Sequence, residues 1–245
     1  MSAPAGVRLE APAKLTLSLR VVGVRADGYH LLEAEMVSID LADTLVFEAG
    51  SGLSIAGPTG VALPTGPENL VNRALAAVDR TAKVSLTKRI PPGGGLGGGS
   101  ADAAAVLRWA GCPDLEVAAG LGADVPFCLI GGRARVTGVG EAVEALPFEP
   151  VAARTYTLMT PPFGVSTVAV YRQWDTMGGP VSQGRNDLEP AALAVEPRLA
   201  GWRDQLGEAS GLTPVLAGSG STWWVEGAYP GDGRVVVRPL PPMPH

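Results

Sequence analysis

The chain has 245 residues, 46% of them hydrophobic, and a formal net charge of −5, so it can bury a core and carries no basic footprint for nucleic acid. No apolar run approaches the ~18 residues of a membrane span, and the opening Met-Ser-Ala-Pro-Ala-Gly-Val-Arg lacks a signal peptide's apolar stretch, which predicts a cytoplasmic protein. Two cysteines, Cys112 and Cys128, and two histidines, His30 and His245, exclude a disulfide framework and a multi-histidine metal site and predict reduced thiols.

Residues 14–22 alternate strictly: Leu15, Leu17 and Leu19 share one face and Lys14, Thr16, Ser18 and Arg20 the other, the pattern of a half-buried strand. A turn at Arg25-Ala-Asp-Gly-Tyr29 follows, then strand-like stretches at 31–40 and 44–48, so the first 60 residues read as a β-meander. Residues 69–82 read as a helix capped by Asn69, with Leu70, Ala74, Leu75 and Val78 at helical spacing. Residues 83–87 read as a short strand. Six of the seven residues from Gly93 to Gly99 are glycine, and the segment 100–109 has helical composition with Ser100 as its expected N-cap. Further along, a short helix is expected at 115–121 and strands at 127–130, 133–137 and 155–159. Helices at 166–175 and 187–207 and strands at 213–217 and 222–226 complete the chain. The sum is an α+β chain in two lobes, 1–150 and 151–245.

The 33 glycines and 22 prolines are roughly twice the usual ~12%, and the densest stretch is Pro91-Pro-Gly-Gly-Gly-Leu-Gly-Gly-Gly-Ser100 between a strand and a helix. A loop nearly free of Cβ atoms can turn successive backbone N–H groups toward one anion, and the following helix adds its free amides and positive dipole end. Gly93, Gly95 and Gly98 formally fit a dinucleotide pattern, but Asp114 and Glu116 do not end a second strand. No Lys-Ser or Lys-Thr follows the last glycine, so the other common phosphate loop fails too. Taken residue by residue, Lys14 is an ordinary strand lysine, Asp124 a turn or cap beside Pro126, and His30 a packed turn residue.

Pro91 to Ala105 resembles the second motif of the GHMP small-molecule kinases, and the resemblance runs along nearly the whole chain in order. It takes in Ala11-Pro-Ala-Lys-Leu15, Asp27-Gly-Tyr-His30, Gly122-Ala-Asp-Val-Pro-Phe127, Asn186-Asp-Leu-Glu-Pro190 and Gly218-Ser-Gly-Ser221. It implies a two-lobed fold with the site in the cleft between lobes, an N-terminal lobe like domain 2 of ribosomal protein S5 and a ferredoxin-like C-terminal lobe. The activity implied is ATP-dependent phosphorylation of the 2-hydroxyl of a cytidylyl methylerythritol in the non-mevalonate route to isoprenoid precursors. Another small alcohol as substrate, or a nucleotide-binding homologue with impaired catalysis, are the alternatives.

The resemblance further implies a catalytic pair, Lys14 and Asp124. The ATP phosphates fall to Pro91, Pro92, Gly93, Gly94, Gly95, Leu96, Gly97, Gly98, Gly99, Ser100 and Ala101, with Mg²⁺ bridging phosphates and no dedicated metal ligands. Thr16, Tyr29 and His30 fall at the substrate, Tyr29 stacking on the base, with Phe163 as a second stacking face. The protein is expected as a monomer or homodimer. Family members usually carry asparagine where this chain has Thr16, and a second serine where it has Ala101. Few residues separate Trp109 from Gly122.

Overall fold

The computed structural model describes residues 6–57, 63–179 and 181–243; His245 and the opening five residues lie outside them. Two long strands, β1 (Val7–Val24) and β2 (His30–Glu48), pair antiparallel around the expected turn, where the Arg25 amide donates to the Tyr29 carbonyl at 2.7 Å. The strand-like stretches expected at 31–40 and 44–48 are thus one continuous strand. Strand β3 (Gly52–Ala56) does not extend a meander: it pairs parallel with β4 (Lys83–Thr87), beyond helix α1 (Leu70–Ala77). A parallel pair needs such a crossover, and Asn69 starts it by accepting the Val71 amide at 2.9 Å.

Helix α2 (Gly98–Trp109) begins three residues earlier than expected, with Gly97 rather than Ser100 at its N-cap and no side-chain capping bond. Helix α3 (Leu115–Leu121) is capped by Asp114. Residues Val125–Ile130 form helix α4 and not the expected strand. Short apolar runs do not separate strand from buried helix by periodicity, and Pro126 in the first turn favours the helix. Strands β5 (Arg133–Gly138) and β6 (Ala142–Ala145) complete a six-stranded sheet of order β3-β4-β2-β5-β6, with β1 on β2.

After α5 (Glu149–Ala152), strand β7 (Tyr156–Met159) opens a second sheet of order β10-β7-β9-β8. Helix α6 (Thr167–Thr176) follows as expected. The single helix expected at 187–207 is two, α7 (Glu189–Val195) and α8 (Leu199–Ser210), because Pro197 holds Glu196 in an extended conformation, φ −135° and ψ 86°. Strands β8 (Val215–Leu216) and β9 (Trp223–Glu226) make the expected hairpin, and β10 (Arg234–Val237) is an additional edge.

Two buried clusters sit behind these sheets, and they interleave. Tyr156, Leu158, Trp224 and Val237 of the second sheet pack in the first core, while Leu19 of β1 packs in the second. The chain then returns: the Leu240 amide donates to Ser38 at 2.8 Å and the Met243 amide to Ile130 at 2.9 Å.

Candidate active site

A cleft of about 920 Å³ lies between the lobes, walled by the glycine run, Lys14, Asp27 to His30, Asp124, Gly218 and one face of α6. The glycine run crosses above β1, where the Leu96 side chain is buried and its carbonyl accepts the Lys14 amide at 3.0 Å. Two of its glycines are required by close approach. At Gly95 (φ +76°) a Cβ would stand 2.1 Å from the Ala217 carbonyl oxygen, and at Gly97 (φ +69°) 2.7 Å from Lys14 Cγ. The second glycine-rich loop, 217–221, is thereby pressed on the first, and the Thr222 amide donates to Gly94 at 3.1 Å.

The first helical bond of α2 runs from the Ala101 amide to the Gly97 carbonyl at 2.8 Å. The amides of Gly98, Gly99 and Ser100 therefore lack intrahelical acceptors and form an anion-binding end at the cleft. Pro91 through Ser100 all line the cleft. Ala101 does not: its methyl is buried and its amide is spent on the helix.

Lys14 and Asp124 meet. The Lys14 ammonium lies 3.5 Å from an Asp124 carboxylate oxygen, on a side chain 6% exposed. Asp124 occupies the N-cap position of α4 but makes no capping bond, so its carboxylate is left to the lysine and the cleft. Thr16 is not on the cleft wall. Its hydroxyl, on a residue 1% exposed, accepts from Lys14 at 3.1 Å, so it holds the lysine. On the buried side of α4, burial pushes the Cys128 thiol up to about 12, with the Asp124 charge adding to the effect, and keeps it protonated and inert.

Tyr29 and His30 stand at the far end of the cleft, Tyr29 well exposed and His30 half-buried. Their partners come from α6, where Val168, Tyr171, Arg172 and Asp175 recur at i, i+3, i+4 and i+7 and all line the cleft. Tyr171, not Phe163, is the second ring here: its centroid is 4.6 Å from His30, whereas Phe163 lies off the wall under the Arg198 guanidinium at 4.2 Å. The sequence placed a helix at 166–175 but could not say which face meets a cleft.

A second charged group escaped the sequence reading. Lys88 bridges Asp43 and Asp102, all three buried, with 2.7 Å to Asp102; Asp43 also accepts the Ile90 amide at 2.9 Å. One Asp102 oxygen has no partner. Burial raises its carboxyl to about 7 against the pull of Lys88, and the Asp43 charge adds to the rise. A lone acid in the run Ala101-Asp-Ala-Ala-Ala105 was the available signal. Asn186 braces the other loop, its amide nitrogen donating to Leu216 at 2.9 Å and Gly218 at 2.6 Å.

Residues 69–132 match the GHMP kinases N-terminal domain. The chain is 39% identical to the 4-diphosphocytidyl-2-C-methyl-D-erythritol kinase of Ruegeria pomeroyi, over 91% of this chain and 89% of that one. It is 40% identical to the protein of the same name from Pelotomaculum thermopropionicum, with 86% of each covered. A crystal structure of a 4-(cytidine 5'-diphospho)-2C-methyl-D-erythritol kinase superposes with TM-score 0.68 and 34% identity over 89% of both chains. The Methanococcus jannaschii mevalonate kinase, at TM-score 0.61 and 12% identity over 96% of this chain and 99% of that one, shares the α+β two-sheet fold.

Proposed function

Since the chain belongs to the 4-diphosphocytidyl-2-C-methyl-D-erythritol kinase family, we propose how its cleft divides the labour of phosphoryl transfer. The protein is an ATP-dependent kinase that phosphorylates the 2-hydroxyl of 4-diphosphocytidyl-2-C-methyl-D-erythritol, in the non-mevalonate route to isoprenoid precursors. Asp124 accepts the proton of that hydroxyl as its oxygen bonds to the γ-phosphorus and the bond to the β,γ-bridging oxygen breaks, releasing ADP. Lys14, held by Thr16, keeps the carboxylate aimed and neutralises charge gathering on the transferred group. The free amides of Gly98, Gly99 and Ser100 hold phosphate oxygens, and Tyr29, His30 and Tyr171 hold the cytidylyl end. The observation that carries this reading is the 3.5 Å Lys14–Asp124 pair beneath the two glycine loops.

Among the described residues no three His, Cys, Asp or Glu side chains gather as a metal cage. That donor set suits a Mg²⁺ that would be held chiefly by phosphate oxygens and water, with the Ser100 hydroxyl on the same cleft wall available as a protein ligand. When bound it supplies positive charge to the phosphates. Among the described residues no helix is long and apolar enough to cross a membrane.

Purified protein with Mg-ATP should phosphorylate the cytidylyl alcohol and leave mevalonate and homoserine untouched. Phosphate transfer to either of those, with none to the cytidylyl alcohol, refutes the assignment.

A further inference from the structure

The segment before α7 lies along β1, the strand that carries Lys14. The Leu19 amide donates to the Arg185 carbonyl at 2.8 Å and the Asp187 amide to the Leu19 carbonyl at 3.0 Å, so Asn186 is pinned on both flanks. Its side chain, on a residue 1% exposed, crosses from there to the second glycine loop. The amide nitrogen donates to the carbonyls of Leu216 and Gly218, on either side of Ala217, while the amide oxygen accepts from the Leu188 amide at 2.9 Å. Carbonyl oxygens only accept, so the group facing both must be a double donor, and a primary amide is one. This grip bears directly on the reacting end of the cleft. A Cβ on Gly218 would stand 3.3 Å from the Lys14 ammonium and 3.8 Å from the Thr16 hydroxyl. Gly218 and Ser219 both line the cleft, and their backbone amides make no hydrogen bond among the described residues. Buried amides seldom go unpaired, and two in succession suit one anion.

We propose that Asn186 is a positioning residue for phosphoryl transfer, gripping the second glycine loop so that the Gly218 and Ser219 amides face the transferred group beside Lys14. Negative charge gathers on that group's oxygens in the transition state, and donors fixed in advance stabilise it there without having to reorganise. The nucleotide's other phosphates are left to the amides of Gly98, Gly99 and Ser100, none of which Asn186 touches. Asn186 therefore acts on the rate and leaves nucleotide affinity alone. This role rests on the reading of the cleft as a kinase site centred on Lys14 and Asp124.

The test uses the full chain with Mg-ATP and the cytidylyl alcohol. Asn186→Asp sets an acceptor against two carbonyls and should lower kcat about 10²-fold. Asn186→Ala, which only releases the loop, should lower it about tenfold. In both, KM for the alcohol and affinity for ATP should stay within about twofold of the wild type. Leu206→Ala, in the second core, supplies the comparison. It should lower the melting temperature at least as much while keeping kcat within about twofold, the pattern that a purely structural role predicts for Asn186 as well. A second measurement needs no variant. In the wild type, ADP with Mg²⁺ and aluminium fluoride, a stand-in for the transferred group, should shift the nitrogen-15 amide signals of Gly218 and Ser219, and ADP with Mg²⁺ alone should not. Undiminished kcat in Asn186→Asp, or Gly218 and Ser219 signals indifferent to the fluoride, overturns the proposal. Wild-type protein that turns over no cytidylyl alcohol instead refutes the kinase reading, and this role with it.

Discussion

Asp102 sits in an environment far from that of a free side chain. It sits one turn inside α2, buried beside Lys88 and Asp43, with one oxygen unpartnered. Two carboxylates share one ammonium there, and burial disfavours the second negative charge. The carboxyl is raised from 3.8 in the unfolded chain to about 7 in the fold. Between those values the folded state holds a proton that the unfolded state has lost. Stability from this group is therefore present in acid and falls as pH rises through about 7. Asp102→Asn removes that loss: its melting temperature should exceed the wild type's at pH 8, with the gap shrinking toward pH 5. A gap independent of pH would contradict the assignment. Sequence reading could not reach this group, because Lys88 and Asp43 are 45 positions apart and only the fold joins them. Lys14 and Asp124 are 110 positions apart and became visible through motif resemblance, not through any local property of either residue.

At the level of elements, the two glycine loops act as one unit because the second fills the space a side chain at Gly95 of the first would need. Composition alone located the first loop, and the physics of bare amides explained its use. The exact start of α2 was not legible, since six glycines among seven residues hide where helical geometry begins. The pairing of loops makes a graded prediction. Gly111 (φ +68°) has open space around its missing Cβ, so Gly111→Ala should cost only the left-handed penalty of about 1–2 kcal/mol. Gly95→Ala carries the same penalty plus a clash with the Ala217 carbonyl, and should cost about 2–5 kcal/mol in denaturant unfolding. Equal losses at the two positions would show that the loops do not bear on each other. Helix α4 teaches the opposite lesson about legibility: Val125 to Ile130 is apolar throughout, so its period carries no information, and Pro126 was the decisive residue.

For the whole molecule, the cleft depends on how firmly the lobes are joined. Asp187 accepts from Arg20 at 2.7 Å, from the Val21 amide at 3.0 Å and from the Ser182 amide at 2.9 Å. The Leu19 amide donates to Arg185 at 2.8 Å, and side chains of each sheet enter the other's core. Such shared burial predicts a single cooperative thermal transition in calorimetry, with van't Hoff and calorimetric enthalpies in agreement. Two resolved transitions would mean the lobes unfold independently. The α+β plan with two sheets was legible from the order of elements. The return of residues 238–243 to the first lobe was not, because short proline-rich segments carry no period.

The joined lobes exist, in this account, to hold one carboxylate against one lysine where phosphoryl transfer takes place. The measurement that bears most directly on it is the turnover of Asp124→Asn with Mg-ATP and 4-diphosphocytidyl-2-C-methyl-D-erythritol, alongside its affinity for ATP. Removing a general base should lower kcat by at least about 10²-fold, with ATP affinity and melting temperature near those of the wild type. A kcat within about twofold of the wild type would contradict the role of Asp124.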